Sequence, residues 1–213
     1  MGKKESKVED LVEKLQRGEL TPEEIKKNLK ERGLAGQESW KWRISYLFTI
    51  IAYFVLCLMP LPFKSQLQLI SFPIVVIYGS VIPLVIGTLF AIWMHFTHSK
   101  KGGLKGSDET VIFYKDAPYS IMRHPGVFGL MMWFIFLPVI ISNYVQFTFL
   151  SVIGIILVIG YHYYMVYVEE KFNIMKWGDE YIQYTKEVPR FNPIIVVLVI
   201  VVVMVPWVWD YFF

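Results

Sequence analysis

Arg123, His124 and Pro125 stand between a turn-rich polar segment and an apolar run of membrane length, in the order Pro118-Tyr119-Ser120-Ile121-Met122-Arg123-His124-Pro125-Gly126-Val127-Phe128-Gly129. Proline suits the first position of a helix, and the free backbone donors and dipole of a helix start attract a carboxylate or phosphate. Two cationic or hydrogen-bonding side chains just before that start therefore have the makings of an anion-binding turn. Gly126 and Gly129 would let a ligand approach the backbone. The plainer alternative is that Arg123 and His124 anchor a helix end at the membrane interface. A second polar cluster closes another apolar run: Glu169-Glu170, then Gly178-Asp179-Glu180-Tyr181-Ile182-Gln183-Tyr184 and Val188-Pro189-Arg190-Phe191. Carboxylates beside hydrocarbon are unfavourable unless paired, hydrated or used. Adjacent acids on a helix point different ways, so one faces the bundle and the other water. Two such clusters flanking one helical hairpin point to a single composite site at a membrane surface.

The remaining side-chain inventory excludes several chemistries. His162 precedes Glu169 by seven residues and shares its helical face, but reads first as a satisfied interior histidine bonded to a tyrosine or a backbone neighbour. His95, His98, His124 and His162 are the only histidines, too few for a di-iron site of histidine boxes, although His95 and His98 share a face. No metal is expected. No Gly-x-Ser-x-Gly elbow, phosphate-cradling P-loop or Gly-x-Gly-x-x-Gly fingerprint occurs. The lone Cys57 forms no intramolecular disulfide and reads as a small apolar packing residue.

The elements that position these clusters are membrane helices. With 213 residues, 55% hydrophobic, the chain is too apolar for an ordinary soluble domain. A bilayer asks for about 20 apolar residues per helix, and five segments meet or approach this: about 44–61, 67–96, 126–142, 145–168 and 194–213. The second is too short for two crossings and is expected as one helix bent near Pro73 and Pro83. The expected fold class is an all-α integral membrane protein, with one transmembrane domain over 44–213. Of the 21 Lys and Arg, 11 precede the first span, five lie from Lys100 to Arg123 and four from Lys171 to Arg190, leaving only Lys64 on the alternate side. The positive-inside rule then puts the N-terminus and both polar clusters in the cytoplasm. No cleavable signal is expected, because no apolar core begins before about residue 44. A net charge of +3 needs no nucleic-acid partner; basic residues beside membrane helices serve topology and contact with anionic lipid.

Residues 1–40 differ in kind. Val8, Leu11 and Leu15 recur at helical spacing, and Thr21-Pro22-Glu23-Glu24 reads as an N-cap, a first-turn proline and acidic residues before a second helix with Ile25, Leu29 and Leu34 as its stripe. A short charged helical hairpin on the cytoplasmic face is expected. Between residues 97 and 125, Gly102-Gly103 and Gly106 mark a mobile first half. Val111-Ile112-Phe113-Tyr114 should pack on the bilayer interface or on the adenine ring of a cofactor.

Taken together, Pro-Tyr-x-x-x-Arg-His-Pro-Gly-x-x-Gly at 118–129, the helical hairpin, Glu-Glu at 169–170, Gly-Asp-Glu-Tyr-x-x-Tyr at 178–184 and Pro-Arg-Phe-x-Pro at 189–193 resemble the isoprenylcysteine carboxyl methyltransferase family. Its phospholipid N-methyltransferase relatives share the likeness. The resemblance covers roughly residues 80–193. It implies an integral membrane enzyme using S-adenosylmethionine, with Tyr119, His124 and the turn around Pro125, Gly126 and Gly129 at the cofactor. Glu169 or Glu170 would hold its ribose or amino-acid portion, and Tyr181 and Tyr184 would help close the pocket. Arg190 and Arg123 would orient an anionic substrate group, and Glu170 would serve as base or cation stabiliser if the nucleophile is an amine. The partners implied are membrane lipid and a lipophilic or lipid-linked substrate, a prenylcysteine-type carboxylate or a phospholipid amine. Departures from the family pattern are the fifth span, Val127 before Phe128, and the lysine and glycine loop before residue 110. Two other readings stay open: a membrane sterol or enone reductase using reduced nicotinamide, and a non-enzymatic scaffold recruiting partners through residues 1–40. Oligomeric state is not legible.

Overall fold

A computed structural model describes residues 10–11, 14, 17–32, 40–62, 64–100 and 115–212, and the backbone alone for residues 22–23, 26, 30, 40, 65–66, 98–100, 202–204 and 206–212. Val8, Leu15, Leu34 and the Val111-Ile112-Phe113-Tyr114 segment lie outside the described residues. Among those described, helices account for the regular structure. The sole β-type pairing is an isolated bridge between Gln68 and Thr148.

The first helix, α1 (Pro22–Glu31), begins where its start signal places it. Glu24 N donates to Thr21 Oγ1 at 3.3 Å and the Glu24 carboxylate accepts from Thr21 N at 2.8 Å. This reciprocal box satisfies donors that a helix start leaves open. Leu11, Ile25 and Leu29 are buried, as the apolar stripe requires.

Next come α2 (Trp40–Tyr53), ending in a π-turn over Phe54–Leu58, and a short 3₁₀ turn over Lys64–Leu67. The segment expected to hold one bent helix from 67 to 96 is instead non-helical from Gln68 to Phe72 and then divided into α3 (Ile74–Gly79) and α4 (Val81–Lys100). Pro73 starts α3 rather than bending it. The break falls at Ser80 because Pro83 has no N–H for the Gly79 carbonyl four residues earlier and its ring crowds that carbonyl. Ser80 closes α3 through its own N–H and hydroxyl, both donating to Val76 O at 2.9 and 2.7 Å.

Helices α5 (Pro125–Ile140), α6 (Phe149–Trp177), α7 (Asp179–Glu187) and α8 (Pro193–Phe212) complete the chain. Segments Lys41–Leu58, Ile74–Thr97 and Phe149–Trp177 are long and apolar enough to cross a membrane; α5 is apolar but shorter. Their outward faces carry Phe48, Leu89 and Ile156 exposed, while Tyr53, Phe128, Met132 and Val158 are buried. Apolar surface on both faces is what lipid-embedded helices show.

Two packing details fix the site's frame. A Cβ on Gly87 would lie 2.8 Å from Gly129 O, so α4 and α5 approach at backbone distance. Pro138, inside α5, has no N–H for Phe134 O four residues earlier; the Tyr53 hydroxyl of α2 donates to that carbonyl at 3.1 Å instead. In hydrocarbon a freed carbonyl needs such a partner. Cys57 is buried beside Tyr53 and Val158, in the packing role expected of it.

Candidate functional site

Three chain segments meet at the Glu170 carboxylate. The turn at 115–124 delivers Arg123 and His124, the C-terminal half of α6 delivers Glu169 and Glu170, and the connection from α7 to α8 delivers Arg190. Glu170 lies 21 residues beyond Phe149, about 31 Å along α6, which is the thickness of a hydrocarbon core. The helix does not end at the two acids, as expected, but continues to Trp177. No helix breaker intervenes before Gly178, whose positive φ of 57° marks the stop.

Glu170 Oε1 accepts from Arg123 Nε at 3.0 Å and Nη2 at 2.8 Å, from His124 Nε2 at 3.2 Å and from Arg190 Nε at 3.1 Å. Its Oε2 accepts from Arg190 Nη2. Glu170 is buried, as is the Arg123 side chain. Burial of these charges is tolerable only because each finds several partners. Arg123 Nη1 also donates to Thr185 O at 2.8 Å and Val188 O at 2.6 Å, two of the carbonyls α7 leaves open at its C-terminus. Arg123 thereby ties three segments to one another.

His124 is the N-cap of α5, with Pro125 at its first turn. Its ring is buried, with Nε2 toward Glu170 and Nδ1 3.5 Å from Glu169 Oε2. Burial pushes the imidazole's affinity for a proton down. The carboxylates of Glu169 and Glu170 outweigh it and hold His124 above the usual histidine range. Glu169 and Glu170 divide as adjacent acids should: Glu170 faces the bundle, and the Glu169 side chain is nearly half exposed. The segment pairing is reinforced by backbone, with Arg123 N donating to Pro189 O at 3.0 Å and His124 N to Arg190 O at 3.4 Å.

Tyr181 and Tyr184 are both buried. Tyr184 donates to Tyr119 O at 2.7 Å, and Asn173 Nδ2 donates to the Tyr181 hydroxyl at 3.4 Å. Burial pushes the Tyr181 phenol up to about 12 and raises that of Tyr184 as well, so both are hydrogen-bonding phenols at neutral pH. Tyr184 braces the 115–124 turn against α7, and Tyr181 ties α7 to α6.

The two glycines lie where α4 packs on α5. A Cβ on Gly129 would clash with Gly87 O, and one on Gly126 would lie 2.5 Å from Met94 Cε. Both therefore face α4, and what they admit is a neighbouring helix. His162 is satisfied as expected, with Nδ1 donating to Val158 O at 2.8 Å and its ring edge-on to Tyr46. Among the described residues no group of three His, Cys, Asp or Glu is placed to hold a metal.

Sequence reasoning missed two participants. The Tyr163 hydroxyl accepts from Arg190 Nη1 at 2.7 Å, and the guanidinium lies 5.0 Å from the ring centroid. Tyr163 precedes Glu170 by seven residues, the spacing by which His162 was paired with Glu169, so the same rule would have found it. Asn192 caps α8 through Ile194 N at 3.0 Å and donates to Ile121 O at 3.3 Å, joining α8 to the Arg123 turn. Comparisons with protein-family models, curated proteins and solved structures give no match to this chain.

Proposed function

We propose that this chain is an integral membrane methyltransferase that uses S-adenosylmethionine and modifies a lipophilic acceptor at the cytoplasmic face. The observation that carries the reading is the convergence of Arg123, His124, Glu169, Glu170 and Arg190 on one site from three separated segments. A set of interfacial anchors would have no reason to share a single carboxylate. The clusters whose order resembles the methyltransferase family are the ones that meet.

The residues present fit such a cofactor on the chemistry of the donor set. Glu169 offers a half-exposed carboxylate suited to ribose hydroxyls or an ammonium group, and His124 holds one of its oxygens in place. The partly exposed Arg190, held by the Tyr163 hydroxyl, can orient an anionic group through charge-assisted bonds. When bound, S-adenosylmethionine supplies an electrophilic methyl group that passes in line to the acceptor. The protein's work is then to align the partners and exclude water.

Glu170 fits the role of general base poorly, because five donor contacts already occupy its two oxygens. It is better suited to hold the two guanidiniums and His124 in register. A carboxylate acceptor is ionised at neutral pH and needs no base, whereas an amine must first lose a proton. The geometry therefore favours the prenylcysteine-type carboxylate over the phospholipid amine.

The test is transfer of labelled methyl from S-adenosylmethionine to a panel of prenylcysteine and aminophospholipid acceptors by detergent-purified protein. Base-labile label in the prenylcysteine fraction, reduced at least about tenfold by Glu169→Gln, is the expected result. Label confined to the amine lipids would overturn the carboxylate preference. Cofactor left unconsumed with the panel and with a total lipid extract would argue against methyl transfer itself.

A further inference from the structure

Lys64 opens the 3₁₀ turn between α2 and α3. Its side chain is 0% exposed, and Nζ has no hydrogen-bond partner among the described residues. The residue lies at the end of the bundle away from Glu170. The chain just after it meets the start of α6, where Leu69 N donates to Phe147 O at 3.0 Å and Gln68 bridges Thr148. An ammonium has three donors, and burying it without an anion is among the costlier arrangements available to a protein. Burial pushes this amine below the usual lysine range.

Among the described residues no carboxylate is paired with it, and Asp210, in the last turns of α8, lies outside the described side chains. Residues 44–99 and 126–168, which supply most of the helices and turns on this side, contain neither Asp nor Glu. Neighbouring polar groups are already committed: Cys57 Sγ donates to Ser151 O at 3.4 Å, and Thr148 and Ser151 bond each other in the capping box of α6. A second polar atom at this end shares the predicament, for Ser142 Oγ in the α5 to α6 turn is shielded from solvent without a hydrogen-bond partner among the described residues. Lys64 is also the one Lys or Arg in the connections that the charge asymmetry puts on this side, so topology does not explain it.

We propose that Lys64 is the anchor of a binding site for an anionic oxygen group, a phosphate or carboxylate, at the bundle end opposite the Glu170 cluster. A lysine stem is long enough to stay in apolar surroundings while its head meets a charged group at the interface. A lipid headgroup and a soluble anion share the required chemistry.

The experiment reconstitutes wild type, Lys64→Met and Lys64→Gln in nanodiscs of phosphatidylcholine, with and without phosphatidylglycerol, and separately in phosphatidylcholine with inorganic phosphate. Unfolding temperature and lipid retained in native mass spectra are read. Phosphatidylglycerol should raise the unfolding temperature of wild type by roughly 3 °C more than that of either variant, with the lipid retained by wild type alone. Contacts of the basic N-terminal segment with anionic lipid are common to all three proteins and cancel. A Lys64-dependent rise with inorganic phosphate only would keep the site and assign it to a soluble anion. Equal responses of wild type and variants in both arms would overturn the proposal. So would loss of the difference in Asp210→Asn, which would make the anion the chain's own. If neither variant folds, wild type that retains no anionic lipid and ignores phosphate overturns it as well.

Discussion

At one end of the bundle Arg123, His124 and Arg190 crowd onto the Glu170 carboxylate; at the other, Lys64 is buried with no hydrogen-bond partner among the described residues. The same physics governs both. A buried charge must find a counter-charge, and the crowded end supplies one from the chain while the Lys64 end does not. The crowded end also binds separated segments to one another: the Arg123 side chain by itself reaches α6, α7 and the connection before α8. Its order is internal and present before any ligand arrives. The Lys64 end has an incomplete polar set, which is the mark of a place where something external completes it.

The largest effect should come from emptying the crowded end. Glu170→Ala leaves two guanidiniums and a buried imidazole without their acceptor and should cost about 3–5 kcal/mol of stability by denaturation in detergent. A loss near zero would mean that the charges are not desolvated as described. Next, Tyr53→Phe manufactures in mid-bundle the orphan condition seen at Lys64, by removing the donor to Phe134 O. It should cost about 1–3 kcal/mol, with the aromatic packing retained.

A pH series separates the ends without a large perturbation. His124 is held above its ordinary value of 6.5, so the folded state binds its proton more tightly than the unfolded chain. The stability this gives is complete below about 6.5 and is lost as pH rises through the raised folded value. Between about pH 6 and 9 wild type should lose unfolding temperature while His124→Asn stays comparatively flat. The smallest effect belongs to Lys115 and Glu180, paired at 3.0 Å with both side chains about half exposed. Lys115→Ala should change stability by under about 1 kcal/mol, and less at high salt.

Local signals in the sequence were good guides wherever one residue type dictated one geometry. Thr21-Pro22 and His124-Pro125 both begin helices, and the split between Glu169 and Glu170 follows from helical geometry alone. What stayed hidden depended on neighbours distant in sequence. The break at Ser80 was legible in principle, since a proline acts on the carbonyl four residues before it, but the expectation put the bend at the prolines themselves. That Gly126 and Gly129 face α4 was hidden because the packing of α4 against α5 is not written in either segment alone. The occupation of Glu170 by five donor contacts was likewise out of reach, because four of them come from two guanidiniums far from it in sequence, and the Arg190 pair arrives only after the α7 connection folds back. Lys64 stood out in the charge count, yet only its burial without a partner gave that position meaning.

The central claim is that the crowded end holds S-adenosylmethionine. Isothermal titration of the detergent-purified protein with S-adenosylhomocysteine, beside His124→Ala and a reduced nicotinamide control, tests it most directly. Micromolar binding by wild type, lost in the variant and absent with the nicotinamide, is the predicted result. A folded wild-type sample that takes up no S-adenosylhomocysteine would contradict the account, and uptake of the nicotinamide in its place would move the site to reductase chemistry.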